Sequence, residues 1–159
     1  MLTNHIFHII TTGKTSDDFI REGIETYSNN LKKFCNIEWH FCKSDKNNKE
    51  LKQKLKNEME EFRKIIQRIK PSVIIVLSEE GKEFSSIRFS EKLRGWMDLG
   101  LSIAFIIGGA FGIETELKMK AHEIISLSKM TFNHELVRLI LAEQLYRGMS
   151  LVYKTGYHH

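Results

Sequence analysis

Two uninterrupted apolar runs, residues 72–77 (SVIIVL) and 102–107 (SIAFII), constrain this chain more than any other feature. A strand that is apolar at every position, rather than at every second one, must be covered on both faces. That is the situation of central strands in a parallel sheet flanked by helices. Each run is too short to be a buried helix and is bounded by Pro71, Ser78, Ser102 and Gly108, so strand is the better reading. Whatever else the chain builds must supply the two covering layers.

The remaining patterns do so. Residues 6–11 open as a strand. From Ser16, a plausible N-cap, the apolar positions Phe19, Ile20, Ile24, Tyr27, Leu31 and Phe34 recur at steps of three and four, the mark of a helix with one buried face. Ile37, Trp39 and Phe41 alternate with Glu38 and His40, which predicts a half-exposed strand near a sheet edge. A long polar helix over 48–70 carries Leu51, Leu55, Met59, Phe62, Ile65, Ile66 and Ile69 on one stripe and stops at Pro71. Ser85 caps a helix that uses Ile87, Phe89, Leu93, Trp96 and Met97, with Gly95 inside it and Gly100 at its end. After a turn at Gly108-Gly109 come a short helix over 114–120, a strand over 124–127 and a last helix over 133–150. An aromatic, basic tail, 153–159, follows. Strands and helices taking turns give an α/β fold, a mostly parallel sheet flanked by helices. No repeat or linker divides it, so residues 1–159 are read as a single domain.

Composition narrows the function classes. With 159 residues and 42% apolar content, one core of several strands is the expected outcome. No apolar run approaches 18 residues, and Met1 to Ile10 lacks a basic stretch followed by a small-residue cleavage site, so a cytoplasmic protein without a membrane span is expected. Cys35 and Cys42 are the only cysteines and have no His or Cys pair at metal spacing, which predicts buried thiols and no metal. The net charge of +4 is compatible with a polyanionic partner without requiring one. The lysines of the helix over 48–70 are read as a solvated face in preference to an RNA surface. The cations after Arg138, namely Arg147, Lys154, His158 and His159, are the group a phosphate backbone could use.

Dinucleotide, P-loop, nucleophile-elbow and HExxH signatures are all missing, and His122-Glu123 and His134-Glu135 stand alone. In an open parallel sheet the ligand crevice lies beyond the carboxyl ends of the strands. That directs attention to Leu77-Ser78-Glu79-Glu80-Gly81, Gly108-Gly109-Ala110-Phe111-Gly112 and Ser128-Lys129-Met130-Thr131-Phe132. The glycine pair lets backbone groups approach a flat ligand, although taken alone it is an ordinary tight turn. For Met130 and Phe132 taken singly, core packing is the simpler expectation.

The order IIGGAFG, then SLSKMTFNHELVRLILAEQLYRG, then a terminal YHH closely resembles the RlmH family, methyltransferases of the SPOUT superfamily that act on N3 of a pseudouridine in 23S ribosomal RNA. LSEEGKEFSS and FIREGIETYSNNLKKF extend the resemblance over essentially the whole chain. It departs from the family at Ser78, where an acidic residue is usual, at Asn133, where proline is common, and at Gly156 and His159 around Tyr157-His158.

The resemblance implies a trefoil knot near the C-terminus and an S-adenosylmethionine pocket made by Leu77, Gly108, and Leu127 with Ser128, Lys129, Met130, Thr131 and Phe132. It implies that His158, with Tyr157 beside it, serves the acceptor base, and that Arg138, Arg147, Lys154 and His159 contact RNA. Arg138 and Arg147 have an alternative, pairing with Glu135 or Glu143 on their own helix, and His158 has another, a disordered terminus. The resemblance further implies a homodimer, with the tail of one protomer closing over the pocket of the other, acting on large-subunit RNA in the assembled ribosome. Other readings are a tRNA methyltransferase, a catalytically inactive ribosome-binding dimer, and a flavodoxin-like nucleotide or flavin module.

Overall fold

The protein, described over residues 5–157 by a computed structural model, alternates strands and helices along its length. The elements are β1 (Ile6–Thr12), α1 (Asp18–Leu31), β2 (Asn36–Cys42), α2 (Leu51–Ile69), β3 (Val73–Glu83), α3 (Ser86–Asp98), β4 (Ile103–Ile107), α4 (Thr115–Lys120), β5 (Glu123–Ser126) and α5 (His134–Val152). The strands form one five-stranded sheet, order β2-β1-β4-β3-β5, with every pairing parallel. The two continuous apolar runs became interior strands, and all five residues of β4 are buried. β2 is an edge strand, as its alternation predicts.

Side chains alternate across each strand, so the sheet feeds two cores. On one face Phe7, Ile9, Ile75, Ile103 and Phe105 pack with Leu31 of α1, Phe89 and Leu93 of α3, and Leu141, Leu145 and Met149 of α5. On the other face Ile10, Val76, Ala104 and Ile106 meet Met59 and Phe62 of α2 and Leu117 of α4. At Gly148 a Cβ would fall 2.6 Å from Leu93 Cδ1, so α5 packs closely on α3 and a side chain there would have to displace the end of Leu93.

Local signals were legible at most helix ends. Ser85 accepts the Arg88 N–H, and Asn133 accepts that of Glu135. Lys70 closes α2 in the left-handed region, before Pro71. Three expectations are corrected. The N-cap of α1 is Asp17, which accepts the Phe19 N–H, because Ser16 is engaged by Glu135 of α5. Phe19, Leu51 and Ile87 are mostly exposed, since each lies in the first turn of its helix, where the apolar stripe has not yet reached the sheet. β3 runs six residues past Leu77. Leu77 and Lys82 both face Ile125, so residues 78–81 bulge out of the ladder between them. Gly81 lets the chain return to β5: a Cβ there would fall 2.6 Å from the Ile124 carbonyl oxygen.

Candidate cofactor cleft

The three strand-end segments meet. Residues of the β3 bulge (Leu77, Ser78, Glu79, Glu80), of the β4–α4 turn (Gly108 to Gly112) and of the β5–α5 loop (Leu127, Ser128, Met130, Thr131, Phe132) line one cleft of about 630 Å3. The first turn of α5 closes it through Asn133, His134 and Val137. Of the sequence-expected pocket residues only Lys129 points elsewhere, and it is exposed. The expectation of core packing for Met130 is corrected, because its side chain is 75% exposed at the mouth. A second cavity of about 230 Å3, between α3, α5 and β5, shares Leu77 and Leu127 with the cleft as a common wall.

The glycine pair is both a tight turn and a cleft wall. Gly112 has φ +83° and donates its N–H to the Gly109 carbonyl at 3.1 Å, which folds the turn back on itself. A Cβ on Gly108 would lie 2.5 Å from the Gly112 carbonyl oxygen and 2.6 Å from Ile113 Cγ1. The backbone therefore occupies the space a side chain would need. The loop after β5 is braced locally: the Ser126 hydroxyl donates to the Ser128 carbonyl at 2.8 Å, and Ser128 Oγ accepts the Met130 N–H at 3.0 Å.

Beneath the cleft, α5 is bolted to the β1–α1 loop. Arg138 is fully buried and donates to the carbonyls of Thr12 (2.7 Å) and Gly13 (3.0 Å) and to Thr15 Oγ1 (3.0 Å). The expectation that Arg138 contacts RNA phosphate is corrected: all of its hydrogen-bonded partners lie inside this protein, and no surface is left for a phosphate. Nothing in its local sequence distinguishes this arginine from a surface one.

One turn earlier, Glu135 accepts the Ser16 N–H, the Ser16 hydroxyl at 2.7 Å and the Asp17 N–H at 3.1 Å. Burial alone pushes the Glu135 carboxyl up, but these hydrogen bonds and the Arg138 charge outweigh it and hold the pKa below the ordinary glutamate value. A depressed folded pKa gives stability that is complete above the unfolded value, about 4.3, and is lost as pH falls through the folded one. Urea midpoints of the wild type and Glu135→Gln are accordingly expected to differ at about pH 6 and to draw together only as pH falls below the ordinary glutamate range and through the depressed folded pKa.

The tail residues occupy the far end of α5. Tyr157 packs on Tyr146 with ring centroids 4.5 Å apart, places its hydroxyl 3.4 Å from that of Tyr27, and lies under the Arg147 guanidinium. The hydrogen bond with Tyr27 is the main cause that pushes its phenol up to about 12. Arg147 also pairs with Glu143 at 2.7 Å, the alternative its spacing allowed, and Lys154 is exposed. His158 and His159 lie outside the described residues. A cluster missed in the sequence brings together His8, Glu38 and His40 on neighbouring β1 and β2. Its only trace there is the Glu-x-His alternation of β2, since His8 is thirty residues away from Glu38.

Fold and cleft together define an α/β protein with an open cleft where loops from neighbouring parallel strands meet, the side of such sheets on which small ligands bind. The family described as "Predicted SPOUT methyltransferase" matches residues 6–158. The protein named Ribosomal RNA large subunit methyltransferase H of Nitrosomonas eutropha is 37% identical over 153 residues, which cover 95% of this chain and 97% of that protein. Its namesake in Maridesulfovibrio salexigens is 38% identical over 94% of this chain and 96% of its own length. A solved structure titled as a probable methyltransferase from Bordetella pertussis Tohama I superposes with a TM-score of 0.57 over 92% of this chain and 96% of that one; at 12% identity this is a likeness of fold alone. The chain belongs to the SPOUT methyltransferase family, in its RlmH group. Its methyl donor is S-adenosylmethionine.

Proposed function

We propose that this protein methylates N3 of a pseudouridine in 23S ribosomal RNA, acting as a homodimer on the assembled ribosome in the cytoplasm. The observation that carries the reading is the convergence of three strand-end loops on one cleft, around a glycine that cannot bear a side chain, in a chain so similar to large-subunit RNA methyltransferases. The cleft fits the cofactor chemically. Backbone groups around Gly108 line the wall an adenine ring would meet, Leu77, Leu127 and Phe132 supply apolar walls, and the Glu79 carboxylate at the rim suits a cationic sulfonium, Glu80 beside it being paired with Lys118. No helix among the described residues is long and apolar enough to cross a membrane.

Bound there, S-adenosylmethionine supplies a methyl group on a positively charged sulfur. The chain's own part is to exclude water, hold the acceptor nitrogen in line and favour loss of its proton. In this reading the Leu77, Leu127 and Phe132 walls exclude water, while His158, with Tyr157 beside it, stabilises the imide anion. Lys154, Arg147 and His159 face RNA phosphates.

The two halves of such a site are separated within one chain. His134 lines the cleft, whereas Tyr146, on which Tyr157 rests, is twelve residues further along α5, or about 18 Å at 1.5 Å per residue. A second protomer supplying its tail resolves the separation, and this supports an isologous dimer. The knot is part of this reading through membership of the SPOUT family. One domain over 1–159 is supported by two cores that share a single sheet.

The test offers labelled S-adenosylmethionine and this protein to ribosomes lacking the modification, to naked 23S RNA and to tRNA, and maps the product by mass spectrometry. Methyl incorporation into ribosomes at one pseudouridine is expected. Transfer to tRNA alone would redirect the reading to that substrate. No transfer, with no cofactor binding by calorimetry, would leave a non-catalytic ribosome-binding dimer.

A further inference from the structure

We propose that His8, Glu38 and His40 form a binding site for a divalent transition-metal ion of the zinc type, which ties the edge strand β2 to β1. The register places His8 directly opposite Glu38, with His40 two residues along β2 on the same face. The three donor atoms converge. His8 Nδ1 and His40 Nε2 are 3.1 Å apart, and Glu38 Oε2 is 3.3 Å from the first and 3.7 Å from the second. A circle through three points with these separations has a radius of about 2.0 Å, inside the zinc–nitrogen and zinc–oxygen range of roughly 2.0–2.2 Å. Their mean separation of about 3.4 Å is the edge of a tetrahedron with such bonds, so the atoms already occupy three of its corners. The fourth corner is left for water.

The chemistry of the donors agrees. Two imidazoles and one carboxylate are a ligand set for a borderline cation rather than for magnesium or calcium. His8 is almost wholly enclosed and Glu38 is half exposed, which gives the site a closed floor and an open entry. His40 Nδ1 lies 3.5 Å from the Arg68 guanidinium, a group that can only donate. A metal on Nε2 requires the proton on Nδ1, and Arg68, on the exposed side of α2, then turns to solvent. None of the three ligands lines the cofactor cleft, so the site acts on the sheet edge and not on methyl transfer. These ligands come from two strands thirty residues apart in the chain, so no short Cys or His spacing announces them.

The experiment titrates the metal-free full-length protein with zinc by calorimetry and with cobalt in the visible spectrum. Wild type is expected to bind one equivalent per chain, to show the absorption of four-coordinate cobalt, and to melt at a higher temperature with zinc. His40→Gln and Glu38→Gln change ligands on an edge strand without emptying the core; folding is checked by circular dichroism. Each is expected to lower affinity by at least about 100-fold and to remove the cobalt bands. Equal zinc affinity in wild type and both folded variants would assign the metal to other histidines and overturn the site. So would the absence of saturable binding by wild type.

Discussion

Gly108→Ala is expected to weaken S-adenosylmethionine binding by about 10- to 100-fold, while Gly109→Ala, one residue later, changes it far less. The new methyl group of the first variant would lie 2.5 Å from a backbone oxygen and 2.6 Å from Ile113 Cγ1. That oxygen belongs to Gly112 and cannot retreat without opening the turn closed by the Gly112 N–H on the Gly109 carbonyl. Overpacking of this kind costs about 1–3 kcal/mol. Because the displaced turn is itself a wall of the cleft, most of that cost is expressed as lost affinity, at about 1.4 kcal/mol per tenfold. At Gly109 the nearest atoms to a Cβ are those of Thr12 at 3.4 Å and Glu58 Oε2 at 3.7 Å, which are ordinary contacts. Calorimetric titration of both variants checks the contrast. Wild-type affinity in Gly108→Ala, or a larger loss in Gly109→Ala, would contradict the assignment of this turn.

Arg138→Met is expected to destabilise the fold by about 3–5 kcal/mol, a large share of the roughly 5–15 kcal/mol that holds a domain together. Methionine fills a similar volume but donates nothing. The carbonyl of buried Thr12 and the Thr15 hydroxyl then lose this donor, and the Gly13 carbonyl keeps only the Thr11 hydroxyl at 3.3 Å. Arg138→Lys recovers only part of the loss, because one ammonium cannot reproduce a planar fork reaching three acceptors. The measurement is the urea midpoint. A phosphate-binding arginine would behave in the opposite way, keeping the midpoint and losing RNA affinity, so one pair of variants separates the two roles. Arg138 and Glu135, one turn apart on α5, grip opposite ends of the 12–17 segment, so the effect also reaches the cleft through the first turn of α5.

Particular elements show how far the amino-acid order reached. SVIIVL and SIAFII announced interior strands because full burial leaves no polar position in them, and NIEWHFC announced an edge because alternation implies one wet face. Ser85, Asn133 and Pro71 marked helix limits through bonds made within a few residues. The cleft loops were legible for the same reason: strand ends in a parallel sheet share one side, so naming the strands named the loops. Ser16 was misplaced as a cap because its partner, Glu135, is 119 residues away. The bulge at 78–81 was invisible because it is defined by pairing with β5.

Fold class, strand order of burial and the three loops that meet at the cleft were therefore determined by the sequence itself, through period, propensity and local capping. Tertiary structure alone decided which charged groups are interior. Arg138 reads like Arg147, yet one is enclosed and donates to two backbone carbonyls and a threonine hydroxyl, and the other pairs with Glu143 near the surface. It also decided that His8 meets Glu38 and His40, since strand register is settled by the packing of whole faces and not by the residues it happens to bring together. Side chains report their local period, whereas charge–charge and donor–acceptor partners are chosen by the fold.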